Sequence, residues 1–565
     1  MQRSPLNAGH SRPRRPRRAS TRFTRPLGVA VALSLLPSVA SATPGQAGRL
    51  SGIEAQGPAT ASVSALHHNP ALLTALPGIN VLSSMSAGAQ FVHARPYEVD
   101  DAGLPTTTLG GKTSLTQPTF GYFVGASFTL DPFAIGIGAY SLGNTYRPNS
   151  AAPFRYHLAN DPNFGCRLDA ADQCPSPHFG GSAETRTDWT VAIAWNAFDR
   201  FRLGLSVHFP RMRVKLGRDE DTSQISDTDT LTCDGVPNAT VNDPRCTRRL
   251  VYDGRSRLRW FGLANEGSRF DLALTVGLAV DVGKNSVIGL RYRTQPLLYR
   301  GTVETIGRAR VCRPGEAAEV AVADGTSSCG NDSDLRASWE QTLPREVAVG
   351  YSTRLGARDA FHLDTNLYWI DFCPGGVSPT SCNGDDVAQL QIKGLDPRAS
   401  ALSETPIYRG RADRYGFEIY SGYDLQRSKT NDTKVSILWG GGFDSPATRP
   451  GALTVDRVDG WAVKASVGAS LELEQRLGSL FLAPGYGLNL QVPTTVGPGG
   501  STPLYLPGAV AQFAASGGDI NSPSAGAVLS GRARPTNAGR YVAHSHSLLF
   551  SIRWSERSDY RSRAQ

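Results

Sequence analysis

Four basic side chains, Arg202, His208, Arg291 and Arg293, stand in stretches where apolar and polar residues alternate, each on the polar side. A guanidinium in a low-dielectric pocket binds a carboxylate in bidentate fashion, which makes the three arginines candidates for holding an anionic ligand group, with His208 beside them as a fourth basic side chain. Internal ion pairs are the competing use, with Asp271 and Asp281 on the preceding stretch. His67 and His68 are adjacent, so they share no face of a helix or strand and make a poor chelate. Hydrogen bonding to neighbouring structure suits them better, with Asn69 and Pro70 shaping a turn. The chain has no G-x-S-x-G, H-E-x-x-H, Walker or dinucleotide fingerprint. No catalytic residue, metal site or cofactor is assigned.

The elements that would position these residues read as strands. Phe201, Leu203, Leu205, Val207 and Phe209 alternate with Arg202, Gly204, Ser206 and His208. The even positions of 270–282 are all apolar. Trp189, Val191, Ile193 and Trp195 repeat the pattern, as do Leu548, Phe550, Ile552 and Trp554 near the end. A soluble sandwich also alternates. Here aromatics cap the apolar stripes at both ends, and the other face mixes Gly and Ala with charge, as a membrane girdle and a wet lumen require. Strands in lipid must close into a barrel, because an open edge leaves backbone groups unpaired.

Short connections alternate with long polar ones, which cover roughly 147–187, 216–267, 301–334, 372–411, 442–460 and 491–540. This spacing predicts an all-β transmembrane antiparallel barrel of about 14 strands with short periplasmic turns and long extracellular loops. The long connections are read as irregular. The cysteines fall two to a loop: Cys166 with Cys174, Cys233 with Cys246, Cys312 with Cys329, and Cys373 with Cys382. Four local disulfides are expected, each stabilising by about 2–3 kcal/mol in an oxidising exterior.

Net charge is +9, but residues 1–42 hold eight arginines and no acid, leaving +1 for the remainder. A near-neutral remainder gives no electrostatic reason to bind nucleic acid. The arginines precede an apolar run, 26–36, and then Ala40-Ser41-Ala42, the order of a secretory signal peptide. Past it no apolar run is long enough for a spanning helix.

Before the first strand, at about residues 79–93, lies a stretch rich in small residues, 51–68, closed by Asn69-Pro70-Ala71-Leu72-Leu73. It resembles the N-terminal hatch of the FadL/TodX family of outer-membrane hydrophobic-compound transporters, in which a Gly- and Ala-rich stretch leads into Asn-Pro-Ala. Leu343-Pro344 with 364–371, and 442–446 with Asp459-Gly460-Trp461, resemble further family segments more weakly.

The resemblance implies a signal peptide at 1–42, a hatch at 43–78 inside the lumen, a barrel at 79–554 and a polar tail at 555–565. It implies a monomer in the outer membrane of a Gram-negative cell, inserted by the barrel assembly machinery. The expected ligand is hydrophobic, with long-chain fatty acids foremost, and leaves through the wall beside a kinked third strand. That strand, about 133–146, carries Gly136, Gly138 and Gly143, which suit either a kink or lumen packing. A porin-like or structural barrel and an outer-membrane lipolytic enzyme are the alternatives. Two departures stand out: residues 43–50 offer only Leu50 where the family has an aromatic, and Trp554 is followed by a polar tail.

Overall fold

The computed structural model describes residues 57–99, 105–109, 112–146, 183–198, 200–221, 223–225, 231–233, 247–256, 272–283, 285–297, 302–312, 335–343, 345–355, 359–369, 386–392, 404–411, 415–429, 433–445, 460–475, 477–497, 503–505, 533–535 and 539–556. Residues 1–42, expected to be a signal peptide, the tail beyond Glu556 and one member or both of each cysteine pair lie outside them.

Among the described residues, fourteen strands pair in sequence around a ring. They are β1 (Gly78–Val99), β2 (Thr113–Leu130), β3 (Phe133–Tyr146), β4 (Ala183–Phe198), β5 (Phe201–Asp221), β6 (Ala273–Asp281) and β7 (Ser286–Arg293), followed by β8 (Arg345–Arg354), β9 (Asp359–Trp369), β10 (Tyr415–Lys429), β11 (Thr433–Asp444), β12 (Ala462–Gln475), β13 (Gly478–Gln491) and β14 (Gly539–Glu556). Each pairs antiparallel with the next. Pairing of β1 with β14, from Asn80 opposite Ser555 to Pro96 opposite Gly539, closes the ring. Closure removes the edges, so the backbone groups of both terminal strands are satisfied without water.

The two faces are inverted relative to a soluble protein. Ile137, Trp189, Val191, Ile193, Trp195, Trp439 and Leu548 are exposed, whereas Asp188, Ser206, His208 and Thr275 are fully buried. An apolar exterior of this extent is at odds with water and matches hydrocarbon. The alternation read from 189–195, 201–205 and 548 points outward as expected.

The long connections differ from the irregular stretches expected. The far part of β5, Arg213–Asp221, pairs with Thr247–Arg255. That strand pairs with Thr302–Cys312, which continues to Leu335–Thr342, Asp386–Ile392 and Glu404–Arg411. Three long connections thus build a shared wall beyond the barrel. Stacking of Tyr252 on Trp339, with the Tyr252 hydroxyl 2.8 Å from Thr305 Oγ1, holds it together. Alternation is weak there because no apolar outer face is required past the membrane band.

Candidate functional site

Residues 57–77 pack against the inner face of β3–β7. A helical turn, Ala65–His68, leads into Asn69 and a 3-10 turn, Pro70–Ala75. Asn69 is extended (φ −170°) and its Oδ1 accepts from the Ala71 amide at 3.2 Å, while Pro70 enters the turn at a position that needs no donor. The same side chain donates through Nδ2 to Pro58 O at 2.7 Å and Leu278 O at 3.0 Å. One buried amide therefore sets the turn, closes the segment on itself and ties it to β6. Gly78, at φ +64°, then turns the chain into β1.

Three wall glycines form the seat. Gly204 lies opposite Gly277 in the register of β5 and β6, and Gly289 opposite Ala279 in that of β6 and β7. A Cβ at Gly204, Gly277 or Gly289 would fall well inside contact distance of Ala71 N, Asn69 Oδ1 or Pro58 O respectively. Only hydrogen leaves room for backbone to approach backbone this closely.

The third-strand glycines divide between the two roles open to them. Gly136 and Gly138 receive Leu66, whose methyls would lie 2.7 and 2.9 Å from added Cβ atoms, so these two are lumen packing. Gly143 sits where β3 shifts register against both neighbours, between Phe120 and Phe123 of β2 and between Tyr140 and Gly143 of its own chain against β4. That double shift is a bulge, which bends a strand. The hydroxyl of Ser141 inside it is buried without a hydrogen-bond partner among the described residues.

The predicted basic residues separate as well. Arg291 pairs with Glu346 at 2.5 Å and reaches His67 O at 3.3 Å. Arg293 pairs with Asp188 at 2.5 Å and lies 3.2 Å from His67 Nδ1. Arg186 forks onto both oxygens of the same Asp188. His208 joins through Tyr140, whose hydroxyl is 2.8 Å from His208 Nδ1 and 3.2 Å from His67 Nδ1. Thr190 and Thr275 complete its bonding. Arg202 is elsewhere, paired with Asp281 at 2.5 Å near the short turns. Asp271 lies outside the described residues, and neither Arg291 nor Arg293 uses Asp281.

Arg291 and Arg293 are both 2 % exposed, so their charges are spent on the wall and on the N-terminal segment. Burial, reinforced by His68, Arg291 and Arg293, holds the His67 imidazole well below its usual pKa. As a neutral ring His67 has one bare nitrogen, so it accepts from one of the two guanidiniums beside it, Arg291 at Nε2 or Arg293 at Nδ1. Further contacts of the segment include Ser206 Oγ donating to Leu66 O at 2.9 Å and Thr129 Oγ1 donating to Leu73 O at 3.1 Å.

Residues that the sequence reading did not single out include Asp188, Glu346, Arg186, Tyr140 and the glycine seat. Asp188 had a local signal, as an acid immediately before the Trp189 stripe and on its inward phase. The others had none, because their meaning lies in their partners.

No protein-family profile matches the chain, and no curated protein matches it. Solved structures do. A Pseudomonas aeruginosa FadL homologue superposes with a TM-score of 0.57 at 13% identity, covering 92% of this chain and 100% of that one. The P. putida toluene transporter TodX gives 0.50 at 12% identity, covering 90% and 99%. The resemblance to FadL/TodX proteins read from residues 51–73 therefore holds at the level of the fold, along nearly the whole barrel.

Proposed function

We propose that this chain is an outer-membrane barrel for passive uptake of hydrophobic compounds, with residues 43–78 as its hatch and a side exit through the wall. The observation that carries the reading is the inversion of the barrel combined with the seating of residues 57–77 on its inner wall. An apolar exterior fits lipid, and a segment seated on Gly204, Gly277 and Gly289 supports a plug in the way of a simple water-filled path. A hydrophobic solute gains little from an aqueous pore, whereas a lateral exit delivers it straight into hydrocarbon. The bulge at Ser141–Gly143 supports an exit beside β3.

Long-chain fatty acids are the ligand class proposed first, with monoaromatic hydrocarbons second because a toluene transporter shares the fold. Export by residues 1–42, insertion by the barrel assembly machinery, a monomeric state and the four loop disulfides belong to the same reading. Because Arg291 and Arg293 already carry acidic partners, ligand contact by them or by His208 would require the hatch to shift.

The test is uptake of labelled oleate and of toluene by a strain lacking its own transporters, with the chain present in the outer membrane. Uptake of either above the empty-vector control supports the proposal. Absence of both, together with steady ion conductance in planar bilayers, would replace it with a porin.

A further inference from the structure

The outward face of the β1–β14 seam sorts its side chains into rows. Nearest the long connections, Arg95 and Arg540 are direct cross-strand partners and both are exposed. Exposed Lys112 precedes Thr113, the partner of Ala94 on the next strand. Like charges directly opposite on one face destabilise a strand pair unless something between them offsets the repulsion.

One step toward the membrane band come three histidines. The rings of His93 and His544 are 6.0 Å apart, and those of His544 and His546 are 5.3 Å apart. His544 stacks on Phe91, His93 Nδ1 lies 2.8 Å from Ser114 Oγ, and His546 is hydrogen-bonded to the Tyr486 hydroxyl. Among the described residues no group of three His, Cys, Asp or Glu could hold a metal ion, these histidines included.

Below them the small side chains of Ala87 and Ala89 leave an apolar groove of about 440 Å³, walled by Phe91, Tyr486, His546 and Leu548. Residues 87–95, 112–120 and 540–548 contain no Asp or Glu. The order is thus cations, hydrogen-bonding rings, then an apolar slot, and within those three ranges no carboxylate stands beside the cations.

We infer that this seam binds a phosphorylated, acylated lipid of the outer leaflet. Its phosphate lies between Arg95 and Arg540, the histidines donate to headgroup oxygens, and an acyl chain occupies the groove. Arginine forks match phosphate geometry, and a cation row just past the hydrocarbon edge meets an anionic headgroup at its own depth. The placement rests on the reading that the barrel spans the outer membrane with its long connections outward.

The full chain in phosphatidylcholine nanodiscs doped with diphosphoryl lipid A gives the test, with retained lipid counted by native mass spectrometry. The wild type is expected to retain lipid A in preference to phosphatidylcholine. R95Q/R540Q is expected to hold it about thirtyfold more weakly, at roughly one charge-contact's worth per arginine. H93Q/H544Q/H546Q provides a second, milder variant, and heat-modifiable gel migration confirms that each barrel is folded. Equal retention of lipid A and phosphatidylcholine by the wild type, or unchanged retention in folded R95Q/R540Q, overturns the inference. Oleate and toluene uptake measured on the same proteins separates the two proposals. Lipid A preference without uptake removes the transporter reading alone, and uptake without lipid A preference removes this site alone.

Discussion

Asn69 donates through Nδ2 to the carbonyl oxygen of Leu278, 3.0 Å away and 209 positions along the chain. The bond occupies a β6 carbonyl, and the carboxamide that makes it also builds the turn after the helical Ala65–His68. The N-terminal segment is therefore held where its own local structure is set, so loosening either loosens both.

Replacement of Asn69 with Ala is expected to free residues 57–77 while the ring of strands persists. It leaves Pro58 O and the Ala71 amide without their partner, at about 1–3 kcal/mol for each buried group left unsatisfied. Hydrogen exchange across 57–77 should accelerate, with exchange in β4 and β5 unchanged. Equal protection in variant and wild type would refute the anchoring role.

Alanine at Gly277 or Gly289 is expected to displace the segment as strongly, since each Cβ would overlap its backbone or Asn69 Oδ1. Gly283 is the control, with nothing within 4 Å of an added Cβ. Planar-bilayer conductance should rise for the first two variants and stay at the wild-type level for Gly283→Ala.

Arg293 and Asp188 form a buried pair whose single disruption strands a charge, at about 3–5 kcal/mol. Arg293→Met and Asp188→Leu should each destabilise the folded barrel in urea. The double variant should lose less than their sum, because it leaves fewer charges uncompensated. Strict additivity would show that the two residues are not energetically coupled.

Acid is expected to release the segment. His67 faces His68 on its own turn, Tyr140 on β3, His208 on β5, and Arg291 and Arg293 on β7, with Asp188 on β4 across Arg293 and Glu346 on β8 across Arg291. Its seated pKa lies below the ordinary imidazole value of about 6.5, so the released state binds more protons. Seating is then fully stable above about pH 6.5 and weakens as pH falls below it. Conductance measured from pH 8 to 5 should rise toward acid in the wild type. His67→Gln should flatten the rise, and an unchanged profile in that variant would assign the effect to other groups.

The sequence alone determined which side chains face lipid and which face inward, because side chains in a strand alternate with period two and the lipid face must be apolar. Trp189, Ile193, Leu203 and Leu548 were legible for that reason, as were the inward phases of His208, Arg291 and Arg293. The Asn69-Pro70 turn was legible too, since an asparagine cap and a proline at the first helical position act within a few residues. The partners of the arginines were not. Glu346 lies 55 positions from Arg291, and Asp188 lies 105 from Arg293. What joins them is interstrand register and an N-terminal segment packed across several strands, neither of which local periodicity carries. Gly204, Gly277 and Gly289 became a seat, and Thr247–Arg255 a wall strand, through the same tertiary decision. A glycine's role depends on what approaches it, and a strand outside the membrane has no apolar face to announce it.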